Sequence, residues 1–123
     1  MYIIIGLGVL NVILGIYQFI SQSNLGLNIL GESPLSLFSY GVAKIVAHET
    51  TFLRIYGLLA HPNILAGILV IVSLLNLYLI NKRQQLLSRG IFIASYFMII
   101  LGISLTFSRG GILALLVGTI FFI

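Results

Sequence analysis

An all-α integral membrane protein, a polytopic helical bundle with about four transmembrane helices, is the fold class this sequence predicts. Three observations lead there. Of the 123 residues, 60% are hydrophobic and only 7% charged, where a soluble domain carries roughly a quarter charged residues. The mean hydropathy is +1.23, so water is not the chain's main solvent. The apolar residues are gathered into runs long enough to cross a ~30 Å hydrocarbon core as helices, with the few charges between them. There is no cysteine, hence no disulfide framework and no thiolate metal site. The net charge of +4 comes without a basic stripe of interleaved aromatics. It bears on orientation in a bilayer and not on nucleic acid.

The first run, "YIIIGLGVLNVILGIYQFI" (2–20), lacks a basic leader and a small-residue cleavage site, so it reads as a span and not as a signal peptide. A more polar stretch, 21–62, carries Glu32, Lys44, His48, Glu49, Arg54 and His61. The second span, "NILAGILVIVSLLNLYLI", covers 63–80, and "NKRQQLLSRG" forms a basic connector over 81–90. From Ile91 the chain stays apolar to Ile123, roughly 50 Å as one helix at 1.5 Å per residue. That is too long for one comfortable span. The run must turn back, and "SRGG" is the place, which gives a third span at 91–107 and a fourth at 111–123. "LLVGTIFFI" stops inside an apolar run, and Met1 leads straight into a span. Both features predict a piece of a longer polytopic protein.

Orientation follows from the basic residues. Lys82, Arg83 and Arg89 crowd the 81–90 connector with no acid to offset them, which predicts a cytoplasmic loop. In 21–62, Lys44 and Arg54 are balanced by Glu32 and Glu49, so this loop belongs outside and the amino terminus is cytoplasmic. Arg54, His61 and Arg109 are then expected on one outer membrane face. Inside the loop, "SQSNLGLNILGESP" is turn-rich and irregular. For "LFSYGVAKIVAHETTFLRIYGLL" two readings stand: an interfacial helix, or a short extended segment around "TTFLRIY", which is rich in β-branched and aromatic residues.

The candidate site lies in "LTFSRGGILALL", Leu105 to Leu116. Arg109 is the only charge from Ile91 onward. One reading makes it an anchor that snorkels from the end of span three. The other makes the turn an anion seat. Gly110 and Gly111 allow close packing and positive φ, and the helix starting there presents unpaired N–H groups and a positive dipole end. Arg109 adds a fork suited to phosphate, while Ser108 caps the helix or donates to an oxyanion. Such a seat suits the pyrophosphate of a lipid-linked substrate. "AHPNILAG" (60–67) likewise reads either as a capped helix start, with Pro62 in the first turn and His61 or Asn63 as cap, or as the lining of a cavity beside Arg109.

"LTFSRGGILAL" resembles the serine-arginine-glycine-glycine signature of the O-antigen ligase and O-antigen polymerase superfamily. "RIYGLLAHPNILAG" (54–67) is similar to that family's segment of arginine and glycine followed by proline-asparagine entering a span. The two motifs occur in the family's order, and the resemblance covers about 54–123. It implies a GT-C-like glycosyltransferase of the bacterial cytoplasmic membrane, inverting and without metal or other cofactor. Its donor is an oligosaccharide or polysaccharide on undecaprenyl pyrophosphate, and its acceptor a glycan, lipid such as lipopolysaccharide core, or protein. By the resemblance Arg109, with Ser108, Gly110 and Gly111, matches the donor-pyrophosphate site, and Arg54 is a second match. The family's catalytic histidine lies in a large outer loop further along, so the resemblance assigns no catalytic residue within 1–123 and implies that this piece alone is inactive. Two other classes remain as alternatives. A transporter fragment usually shows an intramembrane acid, whereas Glu32 and Glu49 both fall in the loop and Asp is absent. A small structural or accessory membrane protein would bind partner helices through "GLGVLNVILG", where small residues permit close approach.

Overall fold

The computed structural model describes residues 1–48, 50–82 and 85–122. Glu49, Arg83 and Ile123, which entered the charge balance and the last predicted span, lie outside the described residues. Among the described residues four α-helices run in order: α1 (Tyr2–Ser21), α2 (Pro62–Lys82), α3 (Leu86–Leu105) and α4 (Arg109–Phe122). The first three are long and apolar enough to cross a membrane, and the chain is a mostly helical membrane protein on that basis. The 14 described residues of α4 reach about 21 Å, short of a ~30 Å core.

Among helix starts, those of α3 and α4 depart most from the predicted spans. α3 begins at Leu86, not at Ile91, because loss of apolarity does not stop a helix. Leu86, Leu87, Ser88 and Arg89 contain no breaker, Leu and Arg are good helix formers, and the Gln85 carbonyl already accepts the Arg89 N–H at 3.0 Å. α4 begins at Arg109, two residues before the expected start, since Ser108 supplies the cap.

α2 packs on α3 and α4 and touches α1, while α3 also lies against α1. The main core gathers Ile5 and Val12 of α1, Leu65, Leu69 and Val72 of α2, and Ile99 and Ile103 of α3, closed at one end by Ile55 from the loop. Asn76 and Ser95 join α2 to α3 by a side-chain hydrogen bond of 2.8 Å, which removes two polar groups from an apolar environment where they would be costly alone. α2 and α4 run parallel. A Cβ on Gly111 would approach Ala66, and one on Gly118 would approach Leu74, so matched positions recur about two turns apart.

The long loop resolves the open choice in favour of extended chain. Lys44–Ala47 (β1) and Thr50–Leu53 (β2) form an antiparallel hairpin in which Ile45 faces Phe52 and Ala47 faces Thr50. Val, Ile, Thr and Phe fit this pleated surface. Gly41 just before it, at φ 79°, and His48 at φ 54° in the tight turn prevent continuous helix, so no interfacial helix forms there. Leu35, Leu53 and Tyr56 make a second, small core, and the Tyr56 hydroxyl accepts the Ala43 N–H at 2.6 Å.

Two amides on one face of α1, seven residues apart, hold this loop to the bundle. Gln18 is fully buried. Its Nε2 donates to Glu32 Oε1 (2.9 Å) and the Gly57 carbonyl (2.8 Å), and its Oε1 accepts from the N–H groups of Tyr56 (3.2 Å) and Gly57 (2.9 Å). Asn11 Oδ1 accepts the Leu58 N–H at 3.0 Å. Glu32 is buried and accepts the N–H groups of Leu25 and Leu27 at 2.6 Å each.

Candidate anion-binding cleft

The first turns of α2 and α4 start at the same end of the bundle, and an open cleft of about 540 Å³ lies between them. Arg54, Asn63, Ser108, Arg109, Gly110 and Gly111 line it, with Gly67, Phe107 and Ala114. Six of the residues singled out in the sequence thus come together although they derive from a loop and two helices. None of the lining residues is acidic.

Each edge of the cleft has a local cause. Ser108 caps α4: its Oγ accepts the Gly111 N–H at 3.2 Å, and its carbonyl accepts the Ile112 N–H at 2.9 Å. The amides of Arg109 and Gly110 have no acceptor among the described residues, so two orphan N–H donors of the first turn are left for a ligand. His61 caps α2, with Nδ1 accepting the Asn63 N–H at 3.2 Å, and Pro62 occupies the first helical position, where its missing N–H costs nothing. Two positive helix ends therefore converge on one opening.

Of the two tasks expected of the glycines, close packing is found at Gly111 and positive φ at neither. The left-handed residue of the turn is Phe107 at φ 49°. Gly111 is buried, and a Cβ there would stand 2.7 Å from the Cβ of Ala66, so it lets α4 approach α2. A Cβ on Gly110 would meet nothing within 4 Å, which leaves the backbone open toward the cleft. The turn reverses direction through an αL residue just after α3 ends, and that freed the glycines for packing and access.

Arg54 holds the wall in place. Its Nε donates to the Thr106 carbonyl (2.5 Å) and its Nη2 to Asn63 Oδ1 (2.7 Å). The neighbouring Ile55 N–H reaches the Leu105 carbonyl at 3.5 Å. Burial pulls the Arg54 guanidinium below its ordinary pKa, with Tyr56 opposing, yet a guanidinium stays charged throughout the physiological range. Arg54 thus contributes positive charge to the cleft while two of its five N–H donors are spent on the protein. Arg109 is exposed, and no hydrogen bond or ion pair engages its guanidinium among the described residues.

His61 does not line the cleft. Its ring packs edge-on to Tyr56 at 6.2 Å between centroids, and its Nδ1 is used by the cap. The cavity expectation fails for it because capping turns the imidazole toward the loop core. Asn63, next to it, does line the opening. Among the described residues no group of three or more His, Asp, Glu or Cys gathers to hold a metal ion.

Sequence reading missed Thr106, Asn11, Gln18 and Glu32. Thr106 is buried, presents the carbonyl that Arg54 grips, and its Oγ1 accepts the Ser108 N–H at 3.3 Å. The available signal for Asn11 and Gln18 was their heptad spacing on an otherwise apolar helix, where polar groups demand partners. No family model matches the sequence, and neither a curated protein nor a solved structure shows significant similarity to it.

Proposed function

We propose that this chain supplies the donor-binding cleft of a membrane glycan ligase or polymerase, which moves a glycan from undecaprenyl pyrophosphate to an acceptor on the outer face of the bacterial cytoplasmic membrane. One observation carries the reading: Arg109 and the Arg109 and Gly110 amides, without a partner among the described residues, belong to residues lining an acid-free opening between two parallel helix starts. A pyrophosphate placed there meets Arg109 as a bidentate partner and the Arg109 and Gly110 amides as dipolar ones. In an inverting displacement at the anomeric carbon, charge develops on the leaving pyrophosphate. Fixed donors aimed at that position lower the barrier because they need no reorganisation. Arg54 keeps the turn in place and adds to the local potential. The base that activates the acceptor hydroxyl is not assigned to any residue of this chain.

The accessory-protein alternative keeps a narrower basis: of the glycines in "GLGVLNVILG", Gly8 and Gly15 pack within the chain against Val72 and Ile55, while Gly6 meets nothing within 4 Å. Titration of the detergent-solubilised chain with a polyprenyl pyrophosphate tests the proposal. Saturable binding that weakens at least ~10-fold in Arg109→Ala, the scale of one charge-assisted hydrogen-bond pair, is expected. Equal affinity in the variant, or none in either, returns Arg109 to the role of a membrane anchor.

A further inference from the structure

The hairpin carries a second surface that the anion cleft does not explain. Phe19, Ile45, Ala47, Phe52 and Phe107 enclose a groove of about 350 Å³ to which no polar side chain contributes. Strand pairing puts Ile45, Ala47, Thr50 and Phe52 on one face and Lys44, Val46, Thr51 and Leu53 on the other. The first face looks along the end of α1, where the rings of Phe52 and Phe19 stack at 6.4 Å. Phe52 remains 38% exposed and Phe107 47%.

Depth follows from helix length. The 20 residues of α1 extend about 30 Å, the thickness of a hydrocarbon core. Phe19 stands two residues before its end, about 3 Å inside. A ring stacked on Phe19 therefore lies at the boundary between hydrocarbon and headgroups, continuous with the apolar outer surface of α1.

Among the described residues the charged side chains of the loop are engaged elsewhere in the protein, and none lines the groove. Glu32 is buried among backbone amides. The Lys44 ammonium is taken by the carbonyls of Leu37 and Ser39, and Arg54 by Thr106 and Asn63. A loop in water places its charges outward and its phenylalanines inward. On the face beside α1, phenylalanines stay partly exposed instead.

We propose that the Ile45–Ala47–Phe52 face of the hairpin, with Phe19 and Phe107, is seated in the lipid bilayer and takes phospholipid acyl chains in its groove. The hairpin is then a wedge at the membrane surface, holding the loop, and the cleft on the far side of Phe107, at headgroup level. Aromatic rings favour that depth, and an apolar face joined to a membrane helix gains by burial there.

The chain contains neither tryptophan nor cysteine, so single reporters are clean. Phe52→Trp and Val46→Trp are reconstituted separately in phosphatidylcholine vesicles, with and without lipids brominated near the headgroup end of the chain, and with aqueous iodide. Expected is blue-shifted Phe52→Trp emission, lost with brominated lipid and indifferent to iodide. Val46→Trp, on the opposite face and 72% exposed, should show the reverse. Phe52→Trp quenched by iodide alone overturns the proposal, as does protection from both quenchers, which means that a protein partner covers the face. Equal lipid quenching of both variants overturns the claim that one face is selected. Should the larger indole disturb the hairpin, a spin label on Ala47→Cys measures the same depth with a smaller change to the fold. Accessibility to oxygen above that to a water-soluble nickel complex supports seating, and any other order refutes it.

Discussion

Adding one methyl group separates the two glycines of the cleft. In Gly111→Ala the new Cβ stands 2.7 Å from the Cβ of Ala66 and 3.4 Å from Ser108 Cβ and Oγ. Carbon atoms in comfortable contact sit about 3.5–4.0 Å apart, so α4 must retreat from α2 by roughly 1 Å. Both colliding atoms are fixed to helix backbones, and no side-chain rotation relieves them. Overpacking of this kind costs about 1–3 kcal/mol, and retreat also lengthens the Ser108 cap on the Gly111 N–H. In Gly110→Ala the methyl meets no atom within 4 Å, so stability should stay within about 0.5 kcal/mol of the parent. The methyl instead projects into the cleft and should weaken polyprenyl pyrophosphate binding. The assay is unfolding of the purified chain in detergent, followed by helix signal against denaturant, with ligand titration in parallel. Ala66→Gly in the Gly111→Ala background restores the space and should recover part of the loss as a non-additive term. A stable Gly111→Ala, or a Gly110→Ala as damaging as it, refutes the packing argument.

Other outcomes follow from the same contacts. Arg54→Lys keeps the charge but cannot reach both the Thr106 carbonyl and Asn63. A loss of about 1–3 kcal/mol should appear as faster amide exchange at Thr106–Ser108. Gln18→Leu leaves the Tyr56 and Gly57 amides and the Gly57 carbonyl without their buried partner, at about 1–3 kcal/mol per group. Protease cleavage should then rise in 54–60 while α2 and α3 stay intact. Burial alone would raise the Glu32 carboxyl, but the hydrogen bonds from Leu25, Gln18, Leu27 and Gly26 outweigh it and hold the pKa below the ordinary carboxylate value. With the folded pKa depressed, this stabilisation is complete above the unfolded value near ~4.3 and is lost as pH falls through the folded one. Exchange protection at Leu25 and Leu27 should collapse on that acid limb, and Glu32→Gln should remove the pH dependence.

The helices were legible because hydrocarbon imposes a single long-range constraint, a run of about twenty apolar residues. The presence of Arg109, Ser108 and Asn63 at one opening was legible for a related reason. Each stands at a helix start, and helix starts separated by one return crossing share a side. What stayed hidden depends on partners distant in sequence. His61 carries the same residue type whether it caps α2 or lines a cavity, and only the Tyr56 ring beside it decides. Gly110 and Gly111 are identical as letters, yet Ala66 stands beside one and open space beside the other. The hairpin needed "KIVA" as the partner of "TTFL", and four apolar or basic residues carry no strong signal by themselves.

The bond from Arg54 to Thr106 joins residues 52 positions apart, and it has a consequence for how the molecule is made. Closure of so long a loop must wait until α3 has recrossed the bilayer, and its entropic cost precedes any reward. During synthesis Gln18 can meet Tyr56 and Gly57 as soon as those residues emerge, so α1 and the hairpin can dock early. The turn at Thr106–Ser108 arrives after both, and with the start of α4 it forms the surface on which Arg54 and Arg109 face one opening. A chain made only as far as α3 thus lacks this turn, and the Arg54 guanidinium has no Thr106 carbonyl to grip.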